Sequence, residues 1–143
     1  AEGATAVQVR VGQMVDTIAL TSGRALATVG DLSVAGTLGM IRYAGDEPVR
    51  YALIDGTSLR LEGGELIAGD VPVSAGVRLE EGLLEASVRC EEAATVTLHC
   101  PVEPGMVRLE GIEAPVDASF DADARTVTLG LPAGSYRLEV REL

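Results

Sequence analysis

The chain has 143 residues, of which 47% are hydrophobic, and this length suits one domain with a sizeable core. All 11 positively charged residues are arginines, and 22 acidic residues give a formal net charge of -11. This balance argues against a nucleic-acid partner and against binding to anionic membranes, since both need a basic surface. No segment approaches the roughly 18 apolar residues of a membrane-spanning helix.

Alternation of apolar and polar residues predicts short β-strands from one end of the chain to the other. The clearest early example is Val7, Val9 and Val11. Further strands are predicted at residues 15–20, 24–29, 37–43, 49–54 and 58–61. Asp55-Gly56 predicts a hairpin turn between the last two of these strands, because glycine accepts positive φ without steric cost. The Glu-Gly-Gly-Glu sequence at residues 62–65 predicts a second turn.

Residues 78–92 are compatible with a helix or a strand. The helical interpretation aligns Leu79, Leu83, Ala86 and Cys90 on one stripe. The strand interpretation places Leu84, Ala86, Val88 and Cys90 on one face. We favour the strand, because Gly82 weakens a helix and the alternation continues through Val96, Leu98 and Cys100.

The last part of the chain predicts a hairpin. Val127, Leu129 and Leu131 alternate with polar or small residues, and Tyr136, Leu138 and Val140 do the same. Pro132-Ala133-Gly134 between them has the composition of a tight turn, with Gly134 in a left-handed conformation. The inward position predicted for Tyr136 places it in the core.

These patterns predict an all-β fold, a two-sheet antiparallel β-sandwich of many short strands that covers residues 1–143 as one domain. An open barrel is the second architecture that fits many short strands with glycine-rich turns. The chain contains three tyrosines, one phenylalanine and no tryptophan, so its core must be mainly aliphatic. We expect the domain to be a fragment of a larger protein.

His99, the one histidine, is predicted on the polar face of a strand beside Thr95 and Thr97. Alternation sends His99 and Cys100 to opposite faces, which disfavours a metal site made with Cys90. If Val88 lies opposite Leu98 in a hairpin, Cys90 and Cys100 are separated by roughly 13 Å, at 3.3 Å per residue. Because a disulfide needs Cα atoms within about 7 Å, we expect two free thiols.

Asp117, Asp121 and Asp123 surround Phe120 and could supply carboxylates to a calcium ion. A turn that uses aspartate side chains explains them better, because calcium needs six or more oxygen ligands and no EF-hand pattern is present. Tyr43 and Tyr51 flank a predicted turn at residues 46–48 and are candidates for glycan contact, although two tyrosines make a limited stacking surface. We expect no catalytic residues, no metal and no cofactor, since no hydrolase elbow, phosphate loop or zinc helix occurs.

The stretch from Arg50 to Ile67, with its Gly56-Thr57 and Gly63-Gly64 pairs, resembles the C-terminal β-domain of heparinase II/III-like polysaccharide lyases. The segment from Phe120 to Val140 is similar to the final hairpin of many bacterial sandwich appendages. Together these segments cover about a third of the chain. In those lyases a helical toroid carries most catalytic residues and a β-domain packs against it. The resemblance therefore implies partnership with a neighbouring catalytic domain, and no catalytic residue is carried over.

The expected function is that of a non-catalytic accessory β-domain in a bacterial polysaccharide-degrading, lyase-like enzyme, extracellular or periplasmic, that supports the catalytic domain or its substrate cleft. The isolated domain should neither cleave polysaccharides nor bind them more tightly than about millimolar, since its net charge opposes anionic uronates. A local arginine cluster could offset that repulsion. The alternatives are an immunoglobulin-like structural or adhesion module and, less favoured, an independent enzyme on a β-scaffold.

Overall fold

The computed structural model describes residues 4–11, 14–21, 26–29, 32–44, 47–61, 64–101, 106–110 and 118–142. These residues form strands and turns and no helix, so the all-β prediction is confirmed. The strands are β1 (Ala4–Val11), β2 (Met14–Thr21), β3 (Leu26–Val29), β4 (Leu32–Ala44), β5 (Glu47–Leu61), β6 (Gly64–Glu80), β7 (Leu83–Cys90), β8 (Ala94–His99), β9 (Met106–Glu110), β10 (Ala118–Asp121), β11 (Thr126–Leu131) and β12 (Gly134–Arg141).

All twelve strands belong to one antiparallel sheet that curls into a half-barrel, so the predicted two-sheet sandwich is not confirmed. The sheet runs β1-β2-β4-β5-β6 and then divides, because β6 is long enough to serve two neighbours on one side. The first arm, β7-β12-β9, continues from residues 73–80 of β6. The second arm, β8-β11-β10, continues from residues 67–69.

Both arms contribute to one hydrophobic core. In β7 the buried residues are Leu84, Ala86, Val88 and Cys90, which confirms the strand interpretation of this segment. The second arm buries alternate residues of β8 and β11, and Tyr136, Leu138 and Val140 of β12 are also buried as predicted. We call the face that carries these residues the inner face and the opposite one the outer face.

The predicted hairpin at Asp55-Gly56 is wrong. Both residues lie inside β5, a single strand of 15 residues, where the pairing with β4 and β6 shifts register. Asp55 has a φ of +47° and its main-chain N–H donates to the Ser74 hydroxyl. The pair therefore forms a bulge that bends the strand, which uses the same backbone freedom as a turn. Pairing of Leu61 with Gly64 confirms the next predicted reversal.

The predicted final hairpin is also wrong. β11 pairs with β8 and β10, whereas β12 pairs with β7 and β9, so residues 132–133 carry the chain from one arm to the other. The hydroxyl of Tyr136 donates to the carbonyl of Pro132 at 2.7 Å and fixes this crossing. Alternation identified the inward residues, but it contains no information about which strand each one pairs with.

Gly56 lies on β5 in close contact with the backbone of β4. A Cβ atom there would lie 2.4 Å from the Ala35 carbonyl oxygen and 2.6 Å from the Gly36 Cα. We expect Gly56→Ala to lower the unfolding free energy by about 1–3 kcal/mol, because backbone atoms must move to admit the methyl group. Urea denaturation checks this. Gly130→Ala is the matched control, since no heavy atom lies within 4 Å of the position that its methyl group would take, and equal losses would contradict the steric account.

Candidate functional site

His99 ends β8 and is half-buried, beside Thr97 as predicted. Its main-chain carbonyl accepts a hydrogen bond of 2.6 Å from the Tyr51 hydroxyl. Burial lowers the pKa of the imidazole, and the charge of Arg125 lowers it further, against a backbone hydrogen bond with Arg125 that raises it. The surroundings of His99 therefore favour a neutral ring, while its main-chain carbonyl connects the end of β8 to β5.

The two cysteines are buried and are not joined to each other by a disulfide, as predicted. The register used to predict it is wrong, because β7 and β8 pair with different parts of β6 and not with each other. The Cys90 thiol donates to the Pro132 carbonyl at 3.2 Å. No group of three potential metal ligands occurs among the residues that the structure describes.

The aspartate candidates lie at the turn between β10 and β11, except Asp117, which lies outside the described residues. Asp121 Oδ1 accepts hydrogen bonds of 3.0 Å from the main-chain N–H groups of Asp123 and Ala124. These bonds stabilise the reversal of the chain in the way typical of an aspartate-initiated turn. This local role accounts for Asp121 without a cation.

The tyrosine candidates are directed into the protein. Tyr51 is 0% exposed, and Tyr43 is half-buried and packs against the core. Burial raises the pKa of the Tyr51 hydroxyl, and the proximity of Cys100 adds to this shift. Neither face of the Tyr51 ring is available for stacking on a sugar.

A groove on the outer face is the feature that the sequence did not reveal. Its floor follows a row of residues paired across four strands: Met40 on β4, Ala52 on β5, Gly76 on β6 and Ser87 on β7. The row continues through Arg137 on β12 and Glu110 on β9. Small residues at its centre leave space, and a Cβ on Gly76 would have no heavy atom within 4 Å. The groove is open to solvent.

Charged side chains border this floor. Arg50 and Arg78 lie at one end, together with Glu85 and Glu139, and Arg89 lies at the other end. Arg78 forms ion pairs with Glu85 at 2.8 Å and with Glu80 at 3.5 Å. The groove thus offers planar guanidinium donors and carboxylate acceptors, which suit the binding of a polar ligand.

The same groups do not form an evident glycosidase pair. Glu85 and Glu139 face each other across β7 and β12, but such a pair requires one carboxyl group with a raised pKa to act as general acid. A hydrogen bond from Arg141 instead lowers the pKa of the half-buried Glu139. This arrangement keeps Glu139 ionised and favours binding over catalysis.

No protein-family model and no curated protein matches the chain, so the resemblance to heparinase II/III-like lyases remains an interpretation of the sequence. Similar solved structures are those of the catalytic module of a family 98 glycoside hydrolase from Streptococcus pneumoniae TIGR4. Its native form and its complex with the LewisY pentasaccharide each align at 10% identity and a TM-score of 0.43, over 96% of this chain and 29% of that chain. A complex with the H-disaccharide aligns with a TM-score of 0.42. A TM-score below 0.5 does not establish a common fold.

No helix in the part of the chain that the structure describes is long and apolar enough to cross a membrane.

The burial of His99 predicts a pH dependence of stability. Because the pKa of His99 is lowered in the folded state, protonation of the imidazole favours the unfolded state. The neutral ring therefore contributes fully to the unfolding free energy above the unfolded pKa of about 6.5, and this contribution is lost as pH falls through the folded pKa. We expect the unfolding free energy to decrease more steeply below pH 6.5 in this protein than in His99→Gln. Urea titrations at several pH values and the imidazole NMR titration measure this. A folded-state pKa at or above 6.5 would contradict it.

Proposed function

We propose that this chain is a non-catalytic accessory β-domain of a polysaccharide-degrading, lyase-like enzyme of an extracellular or periplasmic compartment. In this proposal its open edges dock against the neighbouring catalytic domain, and its outer groove lines one side of the substrate path. The heparinase II/III-like segments in the sequence give the direction of the proposal, and the arrangement of the edge strands supports it.

The observation that carries the proposal is the location of exposed apolar side chains. Met106, Val107 and Phe120 are exposed by 55%, 43% and 36%, and they lie on β9 and β10, which each pair on one side within the described chain. Val107 lies opposite buried Val140, and Phe120 lies opposite buried Val127. Both therefore lie on the inner face, where the core reaches the open edges of the half-barrel. A neighbouring domain placed against these edges would cover them.

Absence of turnover is the first expected result. Incubation of the purified chain with heparin, alginate or hyaluronan should produce no unsaturated product by ultraviolet absorbance, because proton abstraction next to a uronate needs a positioned base and charge-neutralising groups. The one histidine, His99, is half-buried, and burial and the charge of Arg125 lower its pKa. Turnover by the isolated chain, at a rate reduced in His99→Gln, would overturn the accessory role.

Docking of the edge strands against another domain predicts that a substitution at an edge is more destabilising in the full-length protein than in the isolated chain. In the full-length protein, Val107→Glu should lower the melting temperature of this domain by about 3 °C or more beyond its effect in the isolated chain, because an apolar contact of about 2 kcal/mol would be lost. Scanning calorimetry of both forms measures the difference.

Ile54→Glu is the matched control for this comparison. Ile54 is 44% exposed and Val107 is 43% exposed, but Ile54 lies beside the outer groove and not on an edge strand. Its substitution should have the same small effect in both forms. If Val107→Glu also has equal effects in the two forms, the edge does not dock against another domain.

A further inference from the structure

Three arginines stand side by side on the outer face. Arg42 on β4 pairs in register with Arg50 on β5, which pairs in turn with Arg78 on β6. Their neighbours Ile41, Tyr51 and Val77 are buried on the inner face, so the three arginines lie on the outer face. We call these three residues the arginine row. In a chain with 11 basic and 22 acidic residues, this places three positive charges on three adjacent strands.

Like charges directly opposite each other in a sheet are destabilising, because cross-strand Cβ atoms are only about 4.5–5.5 Å apart. Acidic residues flank the row at both ends: Glu85 and Glu80 contact Arg78, and Asp16 on β2 pairs in register with Arg42. Arg50, at the centre, is exposed, and its side chain forms no hydrogen bond or ion pair with the described residues. Its guanidinium is therefore available to a ligand from solution.

The geometry points to a site for an oxyanion, a sulfate or carboxylate group, held by Arg50 together with its cross-strand neighbour Arg78. Guanidinium is planar and presents paired donors that match the spacing of oxygens in such groups. Adjacent strands about 4.8 Å apart allow two neighbouring guanidinium groups to share one oxyanion. The small floor formed by Ala52 and Gly76 begins beside Arg50 and leaves room for the rest of a larger ligand.

This site does not depend on the proposed accessory function, since a free inorganic oxyanion and an acidic group on a glycan offer the same chemistry. The probe is therefore inorganic sulfate, titrated by calorimetry into the intact chain against sodium chloride of equal ionic strength. We expect saturable binding with a dissociation constant of about 1 mM, and at least a tenfold loss of affinity in Arg50→Gln.

Two further variants sharpen the test. Arg60→Gln removes an exposed arginine from the same strand, outside the row, and should leave sulfate affinity unchanged. Glu85→Gln removes the carboxylate that holds Arg78 at 2.8 Å and should strengthen sulfate binding severalfold. A gain of affinity cannot result from misfolding, and circular dichroism verifies the fold of each variant.

Sulfate also stabilises proteins in general by exclusion from their surface, so a rise in melting temperature alone is not the readout. Absence of saturable binding, or equal binding by the native chain and Arg50→Gln, would overturn the site. If sulfate binds as expected, heparin and uncharged dextran identify the source of the group. Tighter binding of heparin than of sulfate, without binding of dextran, indicates an acidic glycan, whereas equal affinity per sulfate group indicates a free ion.

Discussion

The division of the sheet at β6 is the constraint on which the rest of the architecture depends. Gly56 of β5 pairs with Val73 of β6, and Ser58 of β5 pairs with Ala68 of β6. Between these two pairs β5 has one residue, Thr57, whereas β6 has four. This bulge at residues 69–72 redirects β6, so that its two halves accept different neighbours. The Asp70 carboxylate accepts a hydrogen bond from the Thr95 main-chain N–H and thereby holds the start of β8 at the bend. Both arms can then face one core without forming separate sheets.

Tyr51 and Tyr136 connect parts of this curled sheet and are not available as a recognition surface. Tyr51 links β5 to the end of β8 through the His99 carbonyl, and Tyr136 binds the Pro132 carbonyl where the chain crosses between arms. Each buries an apolar ring and satisfies its hydroxyl group, as buried tyrosines require. Tyr51 and Tyr136 have these structural roles, and the polar side chains that the outer groove presents around its small floor are arginine, glutamate and serine.

Local periodicity predicted which residues point inward, and non-local pairing limited what else could be predicted. The inward sets of β7, β11 and β12 follow from alternation within each strand. Asp55-Gly56 was mistaken for a turn because a bulge and a turn need the same backbone conformations. Pro132-Ala133-Gly134 has turn composition whether the flanking strands pair together or join different arms. The arginine row needed the register of three strands, since its members are far apart in the sequence.

The arginine row would allow a strongly acidic chain to bind an anion. The net charge of -11 repels anions at a distance, but at physiological ionic strength this repulsion is screened beyond about 8 Å. Contacts with Arg50 act at hydrogen-bond distance, where screening is weak and the geometry of the guanidinium matters. An anionic ligand would therefore gain little from long-range steering and would depend on contact with the row itself.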